Sequence, residues 1–274
     1  MSGSSRTFLL GPKWIAFHLL VFGSIALMIW LAFWQLQRLD ERQAFNATVT
    51  ERIDEPPVPF NELLAVARTD PGSVEWRQVT VTGEYLPDQV IWFNRSQDGL
   101  AGDNVLAALV DGGTTIVINR GFVPLGDEVA SPPSGEIDVL GRIRLAPARQ
   151  RGELTDATDG VLTEVRRIDL ERLGDQLPGE LAPVYLDLIG TIPNIDATDP
   201  VPVPPPTLSD GPHLSYAVQW LIFAVAVLIG WVFAVRRSIA THRRRDLDVT
   251  DAEAVQTSSD SPTSVDASST TTTP

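Results

Sequence analysis

The chain has 274 residues, a formal net charge of -14 and no cysteine, so disulfides, thiolate nucleophiles and thiolate metal sites are all excluded. Its three histidines, His18, His213 and His242, leave a serine-hydrolase triad, a zinc hydrolase and a Cys/His copper carrier without their parts. Acids are so abundant that no glycosidase-like carboxylate pair stands out.

Residues 15–34 form the first long apolar run, and residues 214–235 the second; neither contains Asp, Glu, Lys or Arg. At about 1.5 Å per residue each is long enough to cross a hydrocarbon layer of roughly 30 Å. The first run ends in Trp30, Phe33 and Trp34 with no small-residue cleavage signal, so it reads as an uncleaved anchor rather than a signal peptide. Arg6 and Lys13 precede it, while Arg236, Arg237, Arg243, Arg244 and Arg245 follow the second run. The positive-inside rule then places both termini in the cytoplasm and the middle of the chain outside, in a multi-pass protein of the plasma membrane. The expected layout is a cytoplasmic segment over 1–14, spans over 15–36 and 213–235, an extracytoplasmic domain over 37–212, and a cytoplasmic basic stop with an acidic tail over 236–274.

Between the spans, residues 43–52 have helix-compatible composition and continue the first span until Pro56, Pro57 and Pro59 stop it. A short helix is expected over 60–67. From Trp76 the period changes to two: Val79 and Val81 alternate with Gln78, Thr80 and Thr82, which reads as a half-buried strand ending at Gly83. Further strands are expected over 90–93, 104–110, 115–119, 137–144, 161–168 and 184–189. Asp111-Gly112-Gly113 marks a tight turn between two of them. Asp169 is placed to cap a short helix reaching Leu177. The pattern specifies an α+β outer domain, mainly an antiparallel β sandwich or small open barrel with short helices, between two transmembrane helices. Pro200, Pro202, Pro204, Pro205 and Pro206 make a stiff connector into the second span. Beyond Asp246 the composition is acidic and polar and reads as disordered. From Arg38 to His213 there are 29 acids against 14 arginines, a net charge of -15, which repels nucleic acid and anionic headgroups.

Four blocks in this order carry a resemblance. Trp34-Gln35-Leu36-Gln37-Arg38-Leu39 resembles the W-Q-L-x-R-L signature of the Surfeit locus protein 1 family, membrane factors that assist assembly of haem-copper cytochrome c oxidase. Residues 77–85 resemble its first strand, with a Gly-x-aromatic ending. Asn119-Arg120-Gly121-Phe122-Val123-Pro124 is similar to its N-R-G-W-V-P block, with Phe122 in place of the Trp. His213-Leu214-Ser215-Tyr216-Ala217-Val218-Gln219-Trp220 resembles its H-L-x-Y-A-x-x-W entry into the second span. Arg42 stands where a Lys is common, and Ala107-Ala108-Leu109 replaces a frequent T-P-L.

The resemblance implies a non-enzymatic assembly factor that handles haem a transiently. Its implied partners are the oxidase core subunit, the haem a synthesis machinery and the membrane, with no nucleic acid. His213 is the implied haem iron ligand, with Tyr216 and Trp220 flanking an apolar macrocycle. From residue type alone, His213 reads rather as an interfacial histidine beside two aromatic-belt anchors, and it is the resemblance that sets the ligand reading level with that one. Arg38 either holds a haem propionate or snorkels to the interface. His18 should lie on the order of 25 Å in depth from His213, which separates the two as ligands of one haem. Arg120, beside Gly121, reads as a buried ion pair fixing a turn. A permanent accessory subunit of a respiratory complex is the alternative. A membrane-tethered sensor would need an output domain that the short tail does not supply.

Overall fold

Proline and glycine punctuate a chain whose apolar periodicity switches from helix to strand and back. In the computed structural model, residues 9–152, 154–157, 159–192 and 200–259 are described. They fall into two units, one of residues 1–43 with 210–274 and the other Ala44–Ser209.

The first unit is a pair of helices, the leading part of α1 (Pro12–Asp54) and α5 (His213–Ser259). Both are long and apolar enough to cross a membrane. Leu19, Leu20, Phe33, Ile222 and Phe233 are exposed along them, as lipid-facing residues must be. The residues that are buried instead are small: Ala32, Ala217 and Ala224, with Val21. Small side chains let helix backbones approach where lipid supplies no hydrophobic drive. α5 reaches Ser259, so the first part of the acidic tail continues the helix where its composition suggested disorder. The remainder of that tail lies outside the described residues.

The second unit begins with the last turns of α1, which stop at Asp54, before Pro56 and Pro57. There follow β1 (Val58–Pro59), α2 (Phe60–Thr69), α3 (Pro71–Val74), β2 (Gln78–Gln97), β3 (Leu100–Asp111), β4 (Thr114–Pro124), β5 (Glu136–Arg144), β6 (Glu164–Val165), α4 (Leu170–Gly174) and β7 (Glu180–Ile192). The sheet runs β1-β2-β3-β4-β7-β5, and β5 pairs again with β2, so the circuit of pairings returns on itself. The long strands pair antiparallel except β4 with β7, which run parallel, as do the two-residue strands β1 and β6 with β2.

Two expected strands are in fact one. β2 passes straight through Gly83: residues 78–84 pair with β5, and residues from Glu84 onward pair with β3. Glu84 lies opposite both Val110 and Glu136, so the strand changes partners there rather than ending. The register shift between Tyr85 and Gln89 contains Pro87, which cannot donate to a ladder. Conversely, the strand expected over 161–168 shrinks to Glu164–Val165. Gln176 bonds both the N–H and the carbonyl of Leu162, and Trp92 Nε1 donates to the carbonyl of Arg166. Those backbone groups are thereby taken from a ladder.

The Gly112-Gly113 turn joins β3 to β4 as expected, with φ of 53° and 109°. Both values are positive, as a two-residue hairpin that follows strand twist requires. Asp169 Oδ1 accepts from the N–H of Arg172 and caps α4.

Alternation along the strands builds two apolar clusters. Ile116, Ile118, Val184 and Leu186 face one, which α2 covers through Phe60 and Ala67. Val117 and Tyr185 face the other, closed by Leu162, Val165, Ile168 and Leu173. Gly121 fixes the entry of the proline connector. Its φ is 135°, and a Cβ there would meet the carbonyl oxygen of Val201 at 2.3 Å. Phe122 and Val201 exchange backbone hydrogen bonds of 2.7 and 2.8 Å beside it.

Candidate functional site

At the start of α5, His213, Tyr216 and Trp220 recur at spacings of three and four, which sets them along one face of the helix. His213 is half-buried, and its Nδ1 lies 2.9 Å from Gln35 Oε1 of α1. An amide oxygen only accepts, so in the tautomer that this contact selects Nδ1 is the donor and Nε2 would keep its lone pair. A histidine that binds a metal is held in the same manner, by an acceptor on its other ring nitrogen. Gln35 belongs to the Trp34–Leu39 block, where nothing local assigns it a role. Its partner is 178 positions away.

Tyr216 is exposed, and Trp220 packs edge-on against Phe223 with ring centroids 6.0 Å apart. Arg38 sits three residues beyond Gln35. Its Nη1 is 2.7 Å from Glu41 Oε2, and its guanidinium lies 5.7 Å from the Trp34 ring. The pair with Glu41 is exposed and interchangeable with other anions at small cost. His18 belongs to a different level of the helix pair. Its Nδ1 accepts from Trp231 Nε1 at 2.9 Å. Seventeen residues separate His18 from Gln35 on the same helix, roughly 25 Å at about 1.5 Å per residue.

The β domain holds a second polar site that sequence did not reveal. Asp187 of β7 is 2% exposed; its Oδ1 accepts from Asn119 Nδ2 at 2.8 Å, and Arg144 Nη1 stands 3.3 Å from its Oδ2. Arg144 also approaches Glu75 at 3.5 Å and lies 3.8 Å over the Trp76 ring. Trp76 has a φ of 74°, an unusual conformation for a bulky residue. Burial pushes the Asp187 carboxyl up from its ordinary range, against the opposing pull of Arg144 and the Asn119 hydrogen bond. Burial first, and then the Asp187 charge, also raise the Tyr185 hydroxyl. Burial lowers the guanidinium of Arg142. Asp187, Asn119, Arg144, Glu75 and Tyr185 border a recess of about 570 Å³.

Arg120 is separate from that recess. It is 1% exposed, and its Nη1 donates to Gln89 Oε1 and to the carbonyl of Ala130, tying the strand after the hairpin to β2 and the following loop.

The helix-borne residues and the buried Asn119 both fall in blocks that can be compared with known proteins. The model of the SURF1 family matches residues 22–225. The chain belongs to the SURF1 family. It is 33% identical over 245 residues to a SURF1-like protein of Mycobacterium bovis, covering 86% of this chain and 89% of that one. A SURF1-like protein of Rickettsia felis is 22% identical over 233 residues, covering 81% of this chain and 98% of its own length. The Surfeit locus protein 1 of Takifugu rubripes is 23% identical over 224 residues, covering 73% and 89%. The SURF1 family is known in general as one of cytochrome c oxidase assembly factors rather than of enzymes. Its matched range includes Gln35, His213 and the Asp187 recess alike.

Proposed function

We propose that this protein assists maturation of haem-copper cytochrome c oxidase by holding haem a, or the core subunit about to receive it, at the outer leaflet. Both termini are cytoplasmic in this reading, and the β domain lies outside. The basic residues at 236–245 and the lack of Lys and Arg over 195–212 support that orientation. The single observation that carries the haem reading is the His213 to Gln35 hydrogen bond within a family of assembly factors. It leaves Nε2 as a ready ligand for iron. Tyr216 and Trp220 would supply aromatic surface for an apolar macrocycle, and Arg38 would exchange Glu41 for a propionate. A bound haem would supply the iron that His213 ligates. The protein contributes a ligand of set tautomer and an apolar face.

Partners in this reading are the oxidase core subunit and the machinery that makes haem a. Titration of purified full-length protein with haem a tests the ligand role. The Soret shift of the wild type is expected to disappear in His213→Ala, and Gln35→Leu to bind about tenfold more weakly. A full Soret shift in His213→Ala removes His213 from the account.

A further inference from the structure

Apart from tryptophan and tyrosine, the two spans hold only four side chains with hydrogen-bonding groups: His18 and Ser24 in α1, Ser215 and Gln219 in α5. His18 is bonded to Trp231, and Ser24 to the carbonyl of Leu20. Ser215 stands in the first turn of α5, at the water boundary. Gln219 lies six residues past His213, about 9 Å further along the helix, where an amide has no water to bond. It is exposed on the helix pair, and among the described residues its side chain makes no hydrogen bond. An amide left bare in hydrocarbon is costly, so Gln219 marks a face of α5 that another polar group covers.

The same face is shaped for a helix. Ser215, Gln219, Ala226 and Gly230 recur at spacings of four, seven and four, which sets them along one side of α5, away from the buried Ala217 and Ala224. α1 makes no demand on Gly230, because a Cβ there would meet nothing within 4 Å. Small residues four apart let two membrane helices approach closely. Which helix fits follows from depth. Two copies of this chain cross the bilayer in the same direction, so a dimer through this face sets Gln219 level with its counterpart. A carboxamide carries both a donor and an acceptor, and the pair therefore satisfies itself by reciprocal hydrogen bonds about a twofold axis. A foreign helix closes the face only if it carries a polar group of its own at that one depth.

We infer that the protein self-associates through this face of α5, with the Gln219 amides of two copies hydrogen-bonded to each other and Ala226 and Gly230 at the helix crossing. His213 and Trp220 lie roughly 120° and 100° round the helix from Gln219, so the dimer leaves them uncovered. Nothing in this dimer depends on haem. It requires only that α5 spans the membrane.

The chain has no cysteine, so a single introduced one is the sole thiol. Ala226→Cys falls on the proposed face, and Leu228→Cys, also exposed, points roughly 160° away. Oxidation of full-length protein in dilute phosphatidylcholine vesicles should join copies through Ala226→Cys and leave Leu228→Cys mainly monomeric, because a disulfide forms only between closely facing positions. Sedimentation equilibrium of the cysteine-free chain in density-matched micelles is expected to show a dimer, weakened about fivefold by Gln219→Leu and about tenfold by Gly230→Leu. Both positions face lipid, so circular dichroism of these variants should match the wild type. Equal cross-linking at the two positions, or unchanged association in both variants, overturns the inference. A monomeric wild type overturns it too, even where a foreign helix is captured in its place. His213→Ala should dimerise as the wild type does, so a failure here is distinct from a failure of the haem ligand.

Discussion

In the helix pair, Gln35 meets His213 and His18 meets Trp231, two isolated hydrogen bonds about 17 residues apart along α1. In the β domain, Asp187, Asn119, Arg144 and Glu75 share one cluster, each group touching at least one other. The difference follows from solvent. Lipid offers nothing to an unpaired polar group, so a polar side chain in a span needs a partner, on the neighbouring helix as here or on its own backbone as Ser24 finds at Leu20. A water-facing domain can gather charges beside a recess. The helix pair thus has discrete joints, and the β domain a coupled network.

The largest expected effect breaks the β domain alone. Gly121→Val places a branched side chain at a φ of 135° and against the Val201 carbonyl, so it should cost about 3 kcal/mol from strain and overpacking. Thermal unfolding followed by near-ultraviolet circular dichroism checks this, and an unchanged midpoint would contradict the close approach of the connector. Asn119→Leu removes the donor to Asp187 and should cost about 2 kcal/mol. Urea unfolding reads it, and coupling to Asp187→Asn in a double-mutant cycle shows whether the two groups act as one network.

In the helix pair the expected cost is smaller. Trp231→Phe removes the donor to His18, and intramembrane hydrogen bonds are worth about 1 kcal/mol. Steric trapping of helix association in micelles should register it while the β-domain midpoint stays fixed. A shift of both would show that the two regions are not energetically separate.

The smallest effect concerns pH. The folded Asp187 carboxyl titrates above its ordinary value of 3.8, so the folded state holds that proton more tightly than the unfolded state. Its contribution to stability is full below that ordinary value and is lost as pH rises through the raised one. Unfolding measured from acid to neutral pH should show this decline in the wild type and not in Asp187→Asn. An identical pH profile in the two would contradict the burial of the charge.

Reading the sequence recovered what depends on rare residues or on strict period. Val79 and Val81, and Ile137 and Val139, alternate cleanly and form paired stretches of β2 and β5. The apolar spans were visible because neither holds a charge. Gly83 misled because a glycine that ends a strand and one where a strand changes partners leave the same local mark. Leu162, Val165 and Ile168 misled for another reason. They are buried at a spacing of three, by a segment pinned through side-chain bonds rather than by a ladder.

His213 stood out in the sequence because the chain has only three histidines and this one opens the H-L-x-Y-A-x-x-W block. Asp187 was not found because it is one of 35 acids, and only the fold shows that it is buried. The bond from Asn119 to Asp187 spans 68 positions and joins two strands that run parallel. No local pattern encodes such a pairing. Gln35 lay within a recognised block, but its meaning depends on a residue at the far end of the chain.

Deletion of this chain from its host, with oxidase activity and haem a absorbance measured in isolated membranes, tests the central claim most directly. The account predicts that both fall and that the wild-type chain restores them. Unchanged activity and an unchanged haem a spectrum in the deletion strain would contradict it.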